Sequence, residues 1–436
     1  MRVRGAIVIL LSLALPAQAQ VLNFDIFQVP SLTGDWGGTR SRLENDGVQL
    51  GGDEILEALG NPNSGRKQGA LIEGRFELFA NIDLQKTLGW NGAIFRANAY
   101  QIHGQGLSSH DLGNLLTVSN IEARPATSLF ALWVQQSLFD DTVSLRIGQI
   151  AADDEFFVSQ YAPLFINSTF GWPAILGINL PDGGPAYPQA RPGARARIAL
   201  SPRLVLSAAI FSGDPRSDQT GFNFQLNGDV FAISELAYSM TMFELPGTMK
   251  LGSWIHSGRF SDQRYDAAHI SLADPASTGL AASHRGDYGG YFVLDQLLWR
   301  KEGTSDAGLG GFIRLGGNPS DRNLIEFHAD GGLTYAGPFG RDNDTIGIGM
   351  SYEQVSATRR DLSLDYRRLT GAPVARPDFE SAVEISYQAQ VASWWIIQPD
   401  LQWIIHPGGH VLDLSAPRAD RSGNTIVLGL RTAVAL

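Results

Sequence analysis

From residue 71 to residue 84 the chain reads LIEGRFELFANIDL, and its side chains divide by parity. Ile72, Phe76, Leu78, Ala80, Ile82 and Leu84 share one face with Gly74. Glu73, Arg75, Glu77, Asn81 and Asp83 share the other, where Phe79 is the exception. Successive side chains of a strand point to opposite sides, so this is a strand with one apolar and one charged face. Its length, about 14 residues, exceeds the ~5–6 usual in soluble sheets and suits a tilted strand that crosses a hydrocarbon layer. Ala93, Phe95, Ala97 and Ala99 then lie opposite Arg96, Asn98 and Tyr100. The two strands are joined by LGWNG, whose Asn91-Gly92 signals a tight turn. Further on, Ala194, Ala196, Ile198 and Leu200 face away from Arg195 and Arg197. After Ser201-Pro202-Arg203 a new apolar row begins, formed by Leu204, Leu206, Ala208 and Ile210.

The same pattern places strands near 48–58, 71–84, 92–103, 128–139, 142–150, 194–200, 203–211, 229–240, 246–256, 288–300, 307–316, 323–334, 343–353, 380–397, 398–406 and 424–436. Short connections are expected at 89–92, 139–142, 201–203, 244–248, 300–306, 337–343 and 398–400. Longer ones fall at 61–69, 104–127, 151–192, 212–228, 257–287, 316–322, 354–379 and 407–423. Short and long alternate, provided that a weak strand candidate at 361–368 belongs to a loop. This is the signature of an all-β, antiparallel transmembrane barrel of about 16 strands, with short turns on the periplasmic side and long outer loops. A secreted sandwich or propeller also has many strands, but not this length, this apolar-out and charged-in division, or this alternation of loops. The outward faces read as apolar throughout and mark no seam between protomers.

Composition narrows the setting. Arg2 and Arg4, an apolar run from Ala6 to Leu15 and the small-x-small Ala17-Gln18-Ala19 form a secretory signal over 1–19, cleaved after Ala19. No later run is apolar and long enough for a spanning helix. The chain has no cysteine, so disulfides contribute nothing. A net charge of −11 argues against a nucleic-acid partner. Between signal and barrel, residues 20–46 form an N-terminal periplasmic segment. There Asp35 or Thr33 can cap a short helix from about Trp36 to Asn45, and Gly47 suits its left-handed stop. Trp36, Thr39, Arg40 and Leu43 share one side of that helix and need a docking surface. The barrel itself occupies 47–436. Its last strand alternates cleanly but ends in Leu436, where assembly signals usually carry an aromatic residue.

These segments resemble the OprB-type carbohydrate-selective porins of Gram-negative outer membranes. The resemblance runs through Leu32-Thr33-Gly34-Asp35-Trp36-Gly37-Gly38-Thr39-Arg40, Arg146-Ile147-Gly148-Gln149, Asp153-Asp154-Glu155-Phe156-Phe157, Phe170-Gly171-Trp172-Pro173 and Gly184-Pro185-Ala186-Tyr187-Pro188. It continues through Pro246-Gly247-Thr248, Lys250-Leu251-Gly252-Ser253-Trp254, His256-Ser257-Gly258, Pro399-Asp400-Leu401-Gln402 and His406-Pro407-Gly408-Gly409. Each block alone is weak, but their order is specific. The resemblance implies a sixteen-stranded barrel that passes sugars.

A pore that prefers sugars needs hydrogen-bonding groups on its wall and aromatic faces for apolar ring surfaces. The inward faces supply Glu73, Arg75, Glu77, Arg96, Arg146, Arg195 and Arg197, and the arginine fork suits neighbouring hydroxyls. The third outer loop, 151–192, carries Phe156, Phe157, Tyr161, Phe165, Phe170, Trp172 and Tyr187. A loop this long and this aromatic is expected to fold into the lumen as the constriction, with Trp172 and Tyr187 as stacking residues. The acidic run Asp153-Asp154-Glu155 could bind calcium or, less simply, hydrolyse a glycosidic bond; positioning of the loop by hydrogen bonds is the expected role. Asp154 and Glu155 then also line the constriction. The eight histidines show no metal spacing such as HExxH and are expected to be structural or solvent-facing. Trp90, Trp254, Trp299, Trp394, Trp395 and Trp403 lie near expected strand ends or turns, and interfacial girdles account for most of them. No phosphate-binding loop, cofactor site, metal site or nucleophile–base pair is expected.

The reading is a passive, sugar-preferring outer-membrane porin and not an enzyme. A general porin without sugar preference, or a barrel enzyme acting on glycan or lipid, are the alternatives. Its partners would be small sugars, outer-membrane lipid and lipopolysaccharide, and the barrel-assembly machinery; a homotrimer is one assembly open to it.

Overall fold

The structure, a computed structural model, describes residues 31–63, 65–214, 220–221, 228–303, 307–371, 374, 376–411 and 423–436. The expected signal at 1–19 lies outside them. Alternating side chains build sixteen strands, here β1 (Val48–Asn61), β2 (Gly69–Asp83), β3 (Ala93–Gly104), β4 (Ala126–Leu138), β5 (Val143–Ile150), β6 (Arg191–Ser201), β7 (Leu204–Ser212) and β8 (Val230–Met242). They continue with β9 (Leu245–Asp266), β10 (Ala281–Arg300), β11 (Gly308–Gly317), β12 (Ile325–Ala336), β13 (Thr345–Val355), β14 (Phe379–Ala392), β15 (Trp395–Ile405) and β16 (Thr425–Ala435). Each pairs antiparallel with its sequence neighbour, and β1 closes the barrel on β16 with Asp53 opposite Ala435 and Gly60 opposite Leu428. Closure pairs each strand on both sides and removes the sheet edges, which a hydrocarbon layer requires. Among the described residues no helix is long and apolar enough to cross a membrane.

The register sets outward and inward faces. Ile72, Leu78, Ile147, Ile210, Leu251, Ile255 and Leu428 are exposed on the outside. One patch departs from the expected apolar exterior. On the outer face of β1–β3, His103 Nε2 lies 3.4 Å from Glu54 Oε1, and its Nδ1 lies 3.1 Å from Gln101 Oε1. His103 crosses the bare backbone of Gly74, where a Cβ would meet the imidazole at 2.4 Å, so the glycine makes the pair possible.

Three local expectations are corrected. β9 and β10 run to 22 and 20 residues, so much of the stretch read as a loop at 257–287 is strand. Its polar residues past Ser257 continue the pairing beyond any apolar belt. The turn expected at 398–400 lies instead at 393–394, between β14 and β15, where Trp394 and Trp395 stack with ring centroids 6.1 Å apart. An aromatic pair at the interface looks like strand core to a pattern reading. Trp254 is not part of a girdle: it points inward, is buried, and packs on Phe231 at 6.1 Å. The segment 361–368 is helical, within a helix spanning Ala357–Thr370, and so belongs to a loop.

The N-terminal stretch folds as one turn of 3-10 helix, Trp36–Gly38, followed by α1 (Thr39–Asn45). Asp35 holds it by accepting from the amide and hydroxyl of Ser41 at 2.9 and 2.7 Å. Gly47, at φ +89°, turns the chain into β1. The docking surface is the barrel seam. The amide of Leu32 donates to the carbonyl of Ala435 (2.8 Å), and Arg40, stacked over Trp36 at 4.3 Å, donates to the carbonyl of Leu436 (3.0 Å).

Candidate functional site

The lumen is divided by its own loops. The segment after β5 enters the barrel and is fixed by inward carboxylates of distant strands. Glu384 on β14 accepts from the amides of Ile166 and Asn167 at 2.5 and 2.9 Å. Glu235 on β8 accepts from the amide of Phe157 (3.0 Å), and Asp295 on β10 accepts from the amide of Gln160 (3.2 Å) and the hydroxyl of Ser159. Lys250 donates to the carbonyl of Val158 (2.8 Å), and Gln398 to that of Leu164 (2.6 Å). Arg314, fully buried, donates to the carbonyls of Phe157, Gly171 and Thr169 at 2.9, 3.2 and 2.8 Å. Glycines on the facing strands admit the loop's rings. A Cβ at Gly310 would stand 2.0 Å from Tyr161, and one at Gly349 would stand 2.9 Å from Phe170.

A second loop, between β3 and β4, also turns inward, which the sequence reading did not anticipate. It joins the first through Asn120 N to Ile166 O (2.8 Å) and Ser168 N to Thr117 O (2.9 Å). Glu380 on β14 accepts from the amides of Leu115 and Leu116, both at 2.7 Å. The two loops thus plug the half of the lumen beside β8–β15.

What remains open is a cavity of about 1010 Å³ against β1–β5 and β16. Its wall carries a ladder of arginines. Arg75 donates to Asp53 at 3.1 Å, lies 3.6 Å from Glu77, and covers the ring of Tyr100 at 4.7 Å. Arg96 donates to Asn81 (3.0 Å) and pairs with Glu77 (3.4 Å). Arg146 pairs with Glu155 at 2.9 Å, donates to Gln135 and covers Trp133 at 4.1 Å. Arg431, on β16, pairs with Glu57 and donates to Asn120. Aromatic rings under Arg75, Arg96 and Arg146 orient their guanidinium groups, and the carboxylates balance the charge, so the wall offers oriented donors without a large net charge. Phe79, the exception to the charged face of β2, fills the space over Gly51 and lies 5.8 Å below the Arg96 guanidinium.

Of the residues singled out from the sequence, Arg75, Glu77, Arg96, Arg146, Asp154, Glu155, Trp172 and Tyr187 meet at this cavity. Trp172 donates through its indole to the carbonyl of Gly183 (2.9 Å), and the Tyr187 hydroxyl donates to that of Ile121 (2.8 Å). Tyr187 packs on Tyr100 and Phe130, with centroids 5.7 and 6.3 Å apart. Glu73, Arg195 and Arg197 do not line the cavity. Glu73 is buried against Ser119 of the second loop. Arg195 is buried behind Glu155, which it grips at 2.8 Å while donating to Ser144 and Gln135. Arg197 is half-buried one step further along the same face of β6. Asp53, Trp133 and Arg431 are wall residues the sequence reading missed. Arg431 was legible as the lone charge in the inward row of β16.

The acidic run positions the loop. Asp153 accepts from the amide of Tyr187 (2.9 Å), and Glu155 ties the loop to Arg146 and Arg195. Asp154 reaches lumen water but is surrounded by protein, and this desolvation, stronger than the pull of Arg146 and Arg96, raises its carboxyl above the usual range. Burial, then the charge of Asp154, pushes Asp153 up to about 7. Raised carboxyls ionise as pH rises, so the run gains negative charge on passing upward through about pH 7. The cation preference of ion current through the barrel should therefore rise across that interval and flatten in Asp153→Asn. Reversal potentials in a salt gradient, about one unit either side of that pH, check this; an unchanged preference in the wild type would contradict it.

A family model described as "Carbohydrate-selective porin, OprB family" matches residues 67–436. Porin B of Pseudomonas aeruginosa is 25% identical over 428 residues, covering 92% of this chain and 90% of that one. The putative porin QuiX of Acinetobacter baylyi is 26% identical over 413 residues, covering 87% and 89%. The high-pH structure of Pseudomonas putida OprB superposes with a TM-score of 0.84 at 24% identity, over 94% of this chain and 99% of that one, and so shares the fold. With the closed barrel and its walled cavity, the match over most of the chain is decisive: this protein belongs to the OprB family of carbohydrate-selective porins, sugar-passing channels of the Gram-negative outer membrane.

Proposed function

We propose that the sugar path follows the arginine–aromatic wall of β1–β5 and β16, and that the inward third loop is its constriction. Solute enters among the outer loops and passes between the ladder Arg75, Arg96 and Arg146 and the loop residues Asp154, Glu155, Trp172 and Tyr187. It leaves at the periplasmic end, where the short turns and both chain ends of the barrel lie. The guanidinium edges donate to hydroxyls, the carboxylates accept from them, and the rings offer faces to the apolar side of a sugar. Glu73, Arg195 and Arg197 act behind the wall as supports. Contacts are many and individually weak, which lets a solute leave as readily as it enters. No covalent step is needed, and transport runs down the concentration gradient.

The observation that carries this reading is the cavity itself: stacked arginines, balancing carboxylates and aromatic rings enclose about 1010 Å³. Swelling of liposomes containing the purified protein tests it. A monosaccharide should enter faster than an uncharged non-sugar of equal size. Equal rates for both would make this a general diffusion pore.

A further inference from the structure

We infer that the outer loop end of β14 and β15 holds a site for a divalent cation of the zinc class, formed by Asp378, His406 and His410. The three come from two segments. Asp378 immediately precedes β14, and the histidines follow β15, which pairs with β14 through Ser381 and Ile405. The turn His406-Pro407-Gly408-Gly409-His410 curls tightly: His406, Gly408, Gly409 and His410 all have positive φ, at 55, 73, 57 and 53°. Two of these residues are not glycine, and left-handed backbone is costly for them. The result is that the imidazoles lie 4.5 Å apart, centroid to centroid, over one carboxylate.

The donor atoms converge. Nδ1 of His406 is 2.9 Å from one oxygen of Asp378, and Nδ1 of His410 is 3.3 Å from the other. One ligand atom from each residue lies within 4.8 Å of the other two. Ligands held at about 2.0–2.1 Å on a tetrahedron stand about 3.3 Å apart, so only modest closure is required. Nδ1 of His406 is buried and makes no hydrogen bond despite its approach to Asp378. A nitrogen aimed at a carboxylate without hydrogen-bond geometry is what a shared ion would explain. Two imidazoles and one carboxylate suit a borderline cation such as Zn²⁺; calcium and magnesium prefer all-oxygen sets. A cavity of about 570 Å³, walled by Asp378 and His410 with Arg360 and Arg376, leaves room for a further ligand.

The site has a structural reach. Glu380, two residues into the same segment, accepts from the amide of Gly408 at 2.6 Å as well as from Leu115 and Leu116 of the second inward loop. An ion on the histidine turn would therefore stiffen the anchorage of that loop. Sequence spacing alone hid the site, because its two histidines stand on a glycine turn instead of a helix and their carboxylate is 28 positions before the first of them (406 minus 378).

Cobalt titration of the untagged, chelator-stripped full-length protein in detergent micelles tests the assignment. The expected result is a saturable, tetrahedral cobalt spectrum at one equivalent per chain, displaced by Zn²⁺ and not by Ca²⁺. His406→Ala, His410→Ala and Asp378→Asn should each weaken cobalt binding at least about tenfold, while His269→Ala leaves it unchanged. Heat-modifiable migration of each variant shows that its barrel is folded. Failure of the wild type to take up one equivalent, uptake that survives His410→Ala unchanged, or displacement by Ca²⁺ would each overturn it.

Discussion

Arg314→Ala should cost the barrel about 3–5 kcal/mol of stability and release the inward third loop, because it breaks a buried ion pair and leaves Asp330 without its main cationic partner. Arg314 and Asp330 are both fully buried, with Nε to Oδ1 at 3.0 Å and Nη2 to Oδ2 at 2.5 Å. Behind Asp330, at 3.6 Å, stands His328, whose other ring nitrogen meets Glu353 at 2.5 Å. The same guanidinium holds three loop carbonyls. Truncation therefore removes four partners at once, and Arg314→Lys should restore little, since a point charge cannot span them. The expected record is a lower temperature of heat modification together with a larger, noisier single-channel conductance. Wild-type conductance and wild-type thermal behaviour in the alanine variant would show that the loop is held by other means.

The barrel was legible from the sequence because its physics is local. Parity on β2 and β3, Asn91-Gly92 between them, and the alternation of short and long connections each report a period or a turn. They do not depend on which distant residues meet. Misreadings came where local pattern and setting part company. The polar extensions of β9 and β10 have no apolar row to announce them, and Trp394-Trp395 turns at an interface while resembling a core. The cavity was half legible. Arg75, Arg96 and Arg146 follow from parity, and the aromatic loop from its length. That Glu235, Asp295, Glu380 and Glu384 anchor loops instead of facing solute could not be read, since each partner lies tens to hundreds of positions away in the chain. The same holds for the second inward loop, for the Glu54–His103 pair across Gly74, and for the meeting of Asp378 with the histidine turn.

Loss of the Arg75 guanidinium should weaken sugar binding in the pore by roughly 10–100-fold, the value of one or two hydrogen bonds from a charged donor (about 1.5–3 kcal/mol). Arg75 is the ladder residue whose plane is fixed both by Tyr100 below and by Asp53 and Glu77 beside it. Its replacement also leaves two like charges side by side on β1 and β2, so the ion current should shift toward cations. Trp172→Ala should weaken binding less, by the loss of one stacking face. Arg197→Ala, outside the cavity, should leave both properties as they are. The most direct measurement is single-channel conductance in planar bilayers, with a monosaccharide and a disaccharide titrated against the ion current in wild type, Arg75→Ala and Arg197→Ala. The path described here predicts concentration-dependent block of the wild type by at least one of the two sugars, lost in Arg75→Ala and retained in Arg197→Ala. Open channels whose current neither sugar reduces, or block that persists in Arg75→Ala, would contradict it.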